Sequence, residues 1–461
     1  MKRIDVLPDD VLLEIFDFYT KVYPRYGGKS VMEAWQLLIH VCRRWRNLVF
    51  RSPRRLNLRL FCTPKTPAKD TLDIWPAFPL IVRGNMTSAS GTDNIIAALG
   101  HRNRIREIIL SGLADWHLEM VLATMQVPFP ELTDLRLFSE SKTLPVIPDS
   151  FLDGSAPCLR FVDLDRIPFP GLPKLLSSAN NLVWLNLSGI PHSGYISPEA
   201  IVTLLCVLSR LETLHVGFQS PQSRPNWENR RPPPLIRSVI PALISLHFNG
   251  VIEYLEDLVI DIDTPQLNEI YINFFNQIDF HIPRLAQFIN RAPKLPKREA
   301  SVQFNDSFAR VALPPRFSTV MITISCGEPD WQLSSTEQVC SSCLHPLSTV
   351  EDLYIEHQYS QLVWKNDAID NILWLQLLLP FTAVRNLYLL KEFAPGIVAA
   401  LQELGGGITE VLPSLQNIFV KGLEPSGPLR ENVGRFVAAR QLSDQAIAVS
   451  DWGEDSDVKP M

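Results

Sequence analysis

The residues best suited to metal chemistry are concentrated between positions 340 and 345. Cys340, Cys343 and His345 bring two thiols and an imidazole within six residues, and Cys326 could supply a fourth ligand to a zinc ion. Structural zinc sites usually combine two ligand pairs at defined spacing, and no second pair accompanies this one. We therefore predict no bound metal, and no residue pattern indicates another cofactor.

Acid–base chemistry has two candidate histidines, His215 and His247. The repeat described below places them on adjacent strands, but neither has a nucleophile or a carboxylate partner at a suitable spacing. The sequence contains no H-E-x-x-H, G-x-S-x-G or G-x-x-x-x-G-K-[ST] motif. We therefore predict that the protein is not an enzyme and that both histidines are surface residues. An enzyme with a cleft in the body of the chain is an alternative that no motif supports.

The composition is that of a folded protein. Of 461 residues, 46% are hydrophobic and 20% are charged, and the net charge is only -6, which excludes a wholly disordered chain. The 21 glycines are far too few for a collagen-like chain. The pI of about 5.9 argues against a nucleic-acid partner. The most apolar stretch, 372–381, is interrupted by Gln376 and Pro380 and is shorter than the ~20 residues that cross a bilayer.

Seven scattered cysteines and the acidic residues close to the N-terminus predict where the protein resides. An odd, sparse cysteine set is typical of a reducing compartment. Asp5, Asp9 and Asp10 interrupt what would be the apolar core of a signal peptide. We therefore expect a soluble intracellular protein, cytoplasmic or nuclear or both, with no membrane partner.

Two amphipathic helical segments are predicted in the first fifty residues. The first begins at Pro8, whose ring favours the first helical turn, and apolar residues recur at positions 8, 11, 12, 15 and 16. The second covers 31–49, with apolar residues at steps of three and four. So short a segment cannot usually bury enough apolar surface to fold alone, so it should pack on a partner or on the rest of the chain.

The order of motifs in this head resembles that of an F-box. Leu7-Pro8-x-x-Val11-Leu12-x-x-Ile15-Phe16 is followed by Val41-Cys42-Arg43-Arg44-Trp45, and together they cover about a tenth of the chain. The connection at 19–33 is longer than is usual in that family. The resemblance implies docking on a Skp-type adaptor and, through it, on a cullin scaffold in an SCF ubiquitin ligase. It places the adaptor contacts at Leu7, Pro8, Val11, Leu12, Ile15, Phe16, Val41, Cys42 and Trp45. The alternative is a plain helical hairpin that caps the following domain.

The body of the chain repeats the pattern apolar-x-x-apolar-x-apolar. Copies begin at residues 105, 132, 159, 182, 211, 243, 267, 317, 350, 384 and 415, at intervals of 23 to 34 residues apart from one of 50. The wide interval could hide a degenerate copy at 300–304, and a further match at 255–260 is too close to its neighbours to be a separate repeat. Helical segments are predicted at 198–208, 283–290, 367–379 and 394–404.

These intervals are at or above the ~20–29 residues of leucine-rich repeats. The predicted fold is α/β: an N-terminal helical F-box followed by a leucine-rich-repeat-like solenoid with a curved parallel sheet. The repeats resemble the irregular ones found behind fungal F-boxes, and Ser52-Pro53-Arg54-Arg55-Leu56 with the later Trp75-Pro76 resembles the join in basidiomycete F-box proteins. The predicted divisions are a helical F-box-like domain at 1–55, a connecting segment with the first strands at 56–104, the solenoid at 105–440 and an acidic C-terminal tail at 441–461. A doubly wound α/β domain is the alternative, although its G-x-G-x-x-G turn is missing.

Strand alternation then predicts the outward-facing residues. If the repeated apolar residues point into the core, the residues between them point to the opposite, concave face. Aromatic side chains on such a face supply large contact areas for a partner. The predicted target-binding residues are Trp184, His215, His247, Tyr271, Tyr354, Tyr388 and Phe419. The alternative is that a return loop or the tail covers this face.

The function predicted from these features is that of a substrate-recognition subunit. The head would bind the adaptor, the concave face would hold an unidentified protein target, and the ligase chemistry would belong to other subunits. Holding a target lysine near a charged ubiquitin carrier raises its effective concentration without a catalytic group on the receptor. The competing function is a leucine-rich-repeat scaffold with no role in ubiquitin transfer.

Overall fold

The structure, a computed structural model, forms two compact units, 1–184 and 185–461. Within the chain it describes residues 7–22, 34–65, 68–87, 91–140, 145–225, 237–277, 279–292, 298–314, 319–342, 347–357, 371–403, 411–423, 427–441 and 447–452. Both units are mixed α/β, and the described part contains 14 α-helices and 18 strands. None of these helices combines the length and the apolar character needed to cross a bilayer.

The first unit places three helices before a parallel sheet. Its elements are α1 (Asp9–Val22), α2 (Ala34–Ile39), α3 (Arg43–Arg51), β1 (Leu60–Cys62), α4 (Ala68–Ile74), β2 (Leu80–Asn85), α5 (Thr92–Leu99), β3 (Ile105–Leu113), α6 (Asp115–Thr124), β4 (Asp134–Ser139), β5 (Phe161–Asp165) and α7 (Leu172–Leu176). The strands β1 to β5 lie side by side in chain order, and each is parallel to the next.

The second unit has a longer sheet, and its first strand begins at the last residue of the first unit. Its elements are β6 (Trp184–Ile190), α8 (Pro198–Val207), β7 (Thr213–Phe218), β8 (Ser238–Val239), β9 (Ser245–Gly250), α9 (Ile252–Ile260), β10 (Ile262–Asp263), β11 (Glu269–Phe274), α10 (Pro283–Arg291), β12 (Glu299–Phe304), β13 (Phe308–Leu313), β14 (Val320–Ser325), α11 (Pro329–Ser342), β15 (Asp352–His357), α12 (Asn371–Leu378), β16 (Asn386–Leu390), α13 (Ala394–Glu403), β17 (Asn417–Lys421), α14 (Pro428–Gln441) and β18 (Ala448–Asp451).

The apolar repeat predicted the strands correctly. The middle and last residues of every copy lie on a strand and are buried, as Leu353 and Ile355 are on β15. The extra match at 255–260 lies inside the helix α9. The predicted helical segments correspond to α8, α10, α12 and α13, although 367–370 and Leu404 lie outside the described residues. The repeat therefore alternates strand and helix along much of the chain.

The 50-residue interval, 267–317, contains the first two strands of a three-stranded meander, β12 and β13, and the third, β14, belongs to the copy that begins at 317. The sheet order in this part is β11-β14-β13-β12-β15, and β13 runs antiparallel to both β12 and β14. The turn from β12 to β13 is closed by Asn305, whose side-chain oxygen accepts hydrogen bonds from the backbone N–H groups of Ser307 and Phe308, each at 2.8 Å. The degenerate copy expected at 300–304 is β12, and β13 is an additional strand.

Two local predictions were wrong. The single helix expected at 31–49 is two helices, because the chain is extended at Cys42, whose sulfur accepts a hydrogen bond from the backbone N–H of Trp45 and so caps α3. The stretch predicted as an acidic tail contains β18, which pairs in parallel with β17. Ile447, directly before β18, is buried and so anchors the start of this strand.

Candidate binding surfaces

The head formed by α1, α2 and α3 is built on apolar packing, between its own helices and with the segment that follows them. Leu12 and Phe16, on one side of α1, are 1% and 0% exposed, and the Phe16 ring lies 4.7 Å from the ring of Trp45 on α3. Trp35 on α2 is 2% exposed, and its indole N–H donates to the carbonyl of Arg59 at 3.2 Å. The head therefore fixes the orientation of α1 by packing.

Polar contacts at the start of α1 also help to fix its orientation. The Arg44 guanidinium donates to the Leu7 carbonyl and to Oδ1 of Asp9, both at 2.6 Å, and so joins the beginning of α1 to α3. Arg55 pairs with Glu14 one turn further along α1. These ion pairs are largely exposed, so they contribute little to stability, and their main effect is to orient α1 relative to α3.

The opposite side of α1 is an exposed apolar stripe. Val11, Ile15 and Phe18 are 42%, 46% and 71% exposed, and steps of four and three residues place them on one helix face. Val41, in the turn before α3, is 59% exposed. We call Val11, Ile15 and Phe18 the apolar stripe. Large apolar groups clustered on an exposed face are typical of a protein contact.

The structure divides the predicted adaptor contacts into two groups. Pro8, Val11, Ile15 and Val41 are exposed, whereas Leu7, Cys42 and Trp45 are half-buried. Leu12 and Phe16 are buried, so their prediction as direct contacts is corrected: one helix cannot present both of its faces to a partner. Phe18 was not predicted, although continuing the spacing of 11 and 15 would have found it.

The predicted outward residues of the second unit do alternate with buried ones. On β15, β16 and β17 the residues flanking each buried leucine or isoleucine are half-buried, including Tyr354, Tyr388 and Phe419. Trp184, at the end of the first unit, is 41% exposed. Ser245 is an exception at 5%, because its hydroxyl contacts Nε2 of His247 at 2.9 Å.

The outward aromatic residues form two groups rather than the single group predicted. In sheet register, Tyr271 on β11 is followed by Met321, Ala312 and Ser301 on the meander strands before Tyr354 on β15. The extra strands thus separate the tyrosines. His215, His247 and Tyr271 make one group, and Tyr354, Tyr388 and Phe419 make the other, which we call the aromatic column.

The histidine group is closely packed. The rings of His215 and His247 are 5.6 Å apart, and the ring of Tyr271 stacks on His247 at 4.6 Å. Burial lowers the pKa of His247, and the nearby Glu269 partly opposes this shift. His247 is therefore neutral at pH 7, in which form one ring nitrogen accepts and the other donates a hydrogen bond.

The aromatic column is a face-to-face stack across three parallel strands. Ring centroids are 4.3 Å apart for Tyr354 and Tyr388, and 4.7 Å apart for Tyr388 and Phe419, with interplanar angles of 8° and 11°. Stacking through ring faces leaves the ring edges directed away from the sheet. Trp452, directly after β18, contacts this stack: its ring centroid lies 5.9 Å from that of Tyr354 and 5.3 Å from that of Tyr388, at interplanar angles of 56° and 64°.

For Tyr354 and Tyr388, this contact favours the alternative, that the tail covers this face, over the predicted open surface. Burial raises the pKa of Tyr388, the carboxylates of Asp352 and Glu299 raise it further, and a hydrogen bond with the Tyr354 side chain partly opposes the shift. Replacing Trp452 with alanine should uncover the Tyr388 hydroxyl, so we expect its pKa to fall towards the ordinary value of about 10. Absorbance titration of tyrosinate, with Tyr388→Phe to identify the signal, measures the change. An unchanged pKa would show that Trp452 does not cover this ring.

Beside the aromatic column runs an amide ladder formed by Asp352, Asn386 and Asn417. The side-chain amide of Asn386 donates to Oδ1 of Asp352 at 2.6 Å, and that of Asn417 donates to Oδ1 of Asn386 at 2.7 Å. These three residues are register partners on β15, β16 and β17. The ladder therefore ties adjacent strands together on the outward face.

The structure describes only two of the four residues considered as zinc ligands. Cys326 and Cys340 are buried, whereas Cys343 and His345 lie outside the described residues. Within the described residues no group of three or more His, Cys, Asp or Glu side chains is arranged to hold a metal ion. Burial raises the pKa of the Cys326 thiol, which favours the protonated form over the thiolate that binds metals.

No protein-family model matches the chain, and the search of curated proteins found no significant match.

Proposed function

We propose that this protein is a non-catalytic substrate receptor of an SCF-type cullin-RING ubiquitin ligase. In this proposal the head docks on a Skp-type adaptor, and the outward face of the second unit, part of a leucine-rich-repeat-like solenoid, holds a protein target. The observation that carries the proposal is the apolar stripe, of which Val11 and Ile15 are residues of the F-box-like motif and Phe18 extends the same helix face. The apolar packing of the head and the Arg44 contacts support it, because they hold Val11, Ile15 and Phe18 in a fixed exposed arrangement.

The role of such a receptor is positional. A target held on the outward face is brought near a ubiquitin carrier bound to other subunits, and the increase in effective concentration accelerates transfer. No acid–base group of this chain takes part. His215 and His247 then act as contact residues for the target rather than as a proton relay.

The test of adaptor docking is the capture of the full-length chain by an immobilised Skp-type adaptor. Replacing Ile15 and Phe18 with aspartate should weaken capture by about 100-fold or more, since each exposed side chain would lose ~1.5–3 kcal/mol of apolar burial and place a charge in the contact. Both positions are exposed, so the fold should be retained.

The matched control replaces two exposed apolar residues elsewhere in the first unit, Ile74 and Val146, with aspartate. This variant should be captured like the wild type. Absence of capture of the wild-type chain, or equal loss in both double variants, would contradict docking through the apolar stripe.

A scaffold without a role in ubiquitin transfer is the second candidate. Burial of Leu12 and Phe16 favours it, because a head that packs on its own chain can serve simply as a cap for the following sheet. The same capture experiment separates the two functions: a scaffold whose head is only a cap has no affinity for the adaptor.

A further inference from the structure

A cleft of about 570 Å³ lies on the outward face of the second unit. Its walls come from β7, β9, β11, β13 and β14, so it is the product of the meander that places β14 and β13 beside β11. A volume in this range accommodates a drug-sized molecule or several amino-acid side chains. The cleft is open to solvent along the sheet, which suits a segment of polypeptide better than an enclosed small molecule.

One wall carries a half-buried guanidinium in a defined position. Nε of Arg310 donates to the Thr323 hydroxyl at 3.2 Å, and the guanidinium carbon lies 4.6 Å from the centre of the Phe308 ring. All three residues line the cleft. The hydrogen bond and the ring contact restrict the rotamers of Arg310, so a ligand that pairs with it loses less side-chain entropy on binding.

The floor offers further polar groups that are already oriented. The Asn273 amide donates to Oδ1 of Asn249 at 3.0 Å, and the Ser325 hydroxyl donates to Oδ1 of Asn273 at 3.2 Å. The Asn249 amide donates to the Phe218 carbonyl at 3.2 Å. These bonds run from strand to strand and hold the amides and the hydroxyl in fixed directions.

The opposite wall is the histidine group, with His215, His247 and Tyr271 lining the cleft. Imidazole and phenol groups donate hydrogen bonds without bringing negative charge. None of the described lining residues is an aspartate or a glutamate. Among its described lining residues, the cleft therefore combines one arginine with several hydrogen-bond donors and no carboxylate.

We infer that this cleft binds an anionic oxygen group, either a carboxylate or a phosphate monoester, carried by a peptide segment of a partner protein. The Arg310 guanidinium provides the charge-assisted contact, and the histidine group and the second N–H of the Asn249 and Asn273 amides donate to the remaining oxygens. As a description of the target, this inference rests on the proposed function. As a statement of binding chemistry, it is tested on the chain alone, without an adaptor.

The experiment measures fluorescence polarisation of labelled hexapeptides of the form Gly-Gly-X-X-Gly-Gly with the full-length chain. X is glutamate, phosphoserine, glutamine or serine, so that each anionic peptide has a neutral counterpart. We expect at least one anionic peptide to bind about tenfold or more tightly than its neutral counterpart. Preference for glutamate or for phosphoserine identifies the source of the anion.

Variants then place the binding in the cleft. Arg310→Met should weaken binding of the preferred peptide by about tenfold or more, whereas Arg385→Met, which removes an exposed arginine that does not line the cleft, should leave it unchanged. Ser307→Asp adds a carboxylate to the cleft rim at an exposed turn position and should also weaken binding, with Ser307→Asn as its neutral control.

Three results would overturn the inference: equal binding of anionic and neutral peptides, no saturable binding of either anionic peptide, or binding unaffected by both Arg310→Met and Ser307→Asp. Failure here with normal adaptor capture would reject the cleft and leave the proposed function standing. If the chain binds the peptide but the adaptor does not capture it, the proposed function is rejected and the inference about the cleft stands.

Discussion

Replacing Trp35 with alanine is expected to lower the free energy of unfolding of the head by about 3–5 kcal/mol. Its ring lies at the centre of an aromatic cluster, with ring centroids at 5.3 Å from Trp75, 5.5 Å from Phe78 and 6.5 Å from Phe50. The substitution would leave a large cavity and would deprive the Arg59 carbonyl of its donor. Hydrogen exchange of the amides of α1 to α3 in the full chain measures the effect.

Two further variants define this prediction. Trp35→Phe keeps most of the ring volume but removes the indole N–H, so its cost should be intermediate. Ile74→Ala, at a position 72% exposed, should change the stability by no more than about 0.5 kcal/mol. A Trp35→Ala protein with wild-type exchange rates in the head would show that the aromatic cluster does not hold these helices.

The largest effect in the second unit is expected from Tyr254→Ala, at about 4–6 kcal/mol when loss of the ring and loss of a buried hydrogen bond are combined. Tyr254 on α9 is 0% exposed, and its ring centroid lies 4.7 Å from that of Phe218 and 5.8 Å from that of Phe248. Its hydroxyl donates to the Ile196 carbonyl at 2.8 Å. Burial raises its pKa well above the ordinary value, so the hydroxyl keeps its proton.

The two contributions can be separated with Tyr254→Phe. This variant retains the ring but removes the donor, so we expect it to cost about 1–2 kcal/mol. Denaturant unfolding followed by circular dichroism compares the three proteins. Equal stability of the phenylalanine and alanine variants would mean that the ring contributes nothing and that the hydrogen bond accounts for the whole effect.

The strands could be predicted because burial imposes a local pattern. On a parallel strand covered by helices, residues such as Leu387 and Leu389 must be apolar, while those between them need not be. The same regularity predicted the outward position of Tyr354, Tyr388 and Phe419. Their stacking required only that neighbouring copies be in register.

The meander could not be found in this way. Ala309, Val311 and Leu313 of β13 are buried in alternation, and alternation is the same whether a strand runs parallel or antiparallel to its neighbours. Direction and neighbour depend on contacts between segments distant in sequence. The local signal for a reversal was Asn305, whose side chain closes the turn, in a polar run with Asp306 and Ser307.

The sequence predicted the candidate surfaces to different degrees. Val11 and Ile15 were predicted from motif and spacing, but the motif does not distinguish them from buried Leu12 and Phe16, because amphipathic helices bury one face against their own chain as readily as against a partner. The break before α3 was missed because cysteine is not among the preferred N-cap residues. The cleft could not be predicted from the sequence, because Arg310 and the histidine group line the same cleft only as a result of the strand order of the meander.

The amide ladder has a consequence for how the second unit avoids mispairing. Sliding β16 by two residues along β15 would keep every leucine on the inner side, so hydrophobic patterning alone tolerates that error. Such a slip would move Asn386 out of reach of Asp352 and break its hydrogen bond to that carboxylate. The amide ladder thus selects the correct strand register. It disfavours, through the loss of hydrogen bonds, a shifted pairing that hydrophobic packing alone would allow.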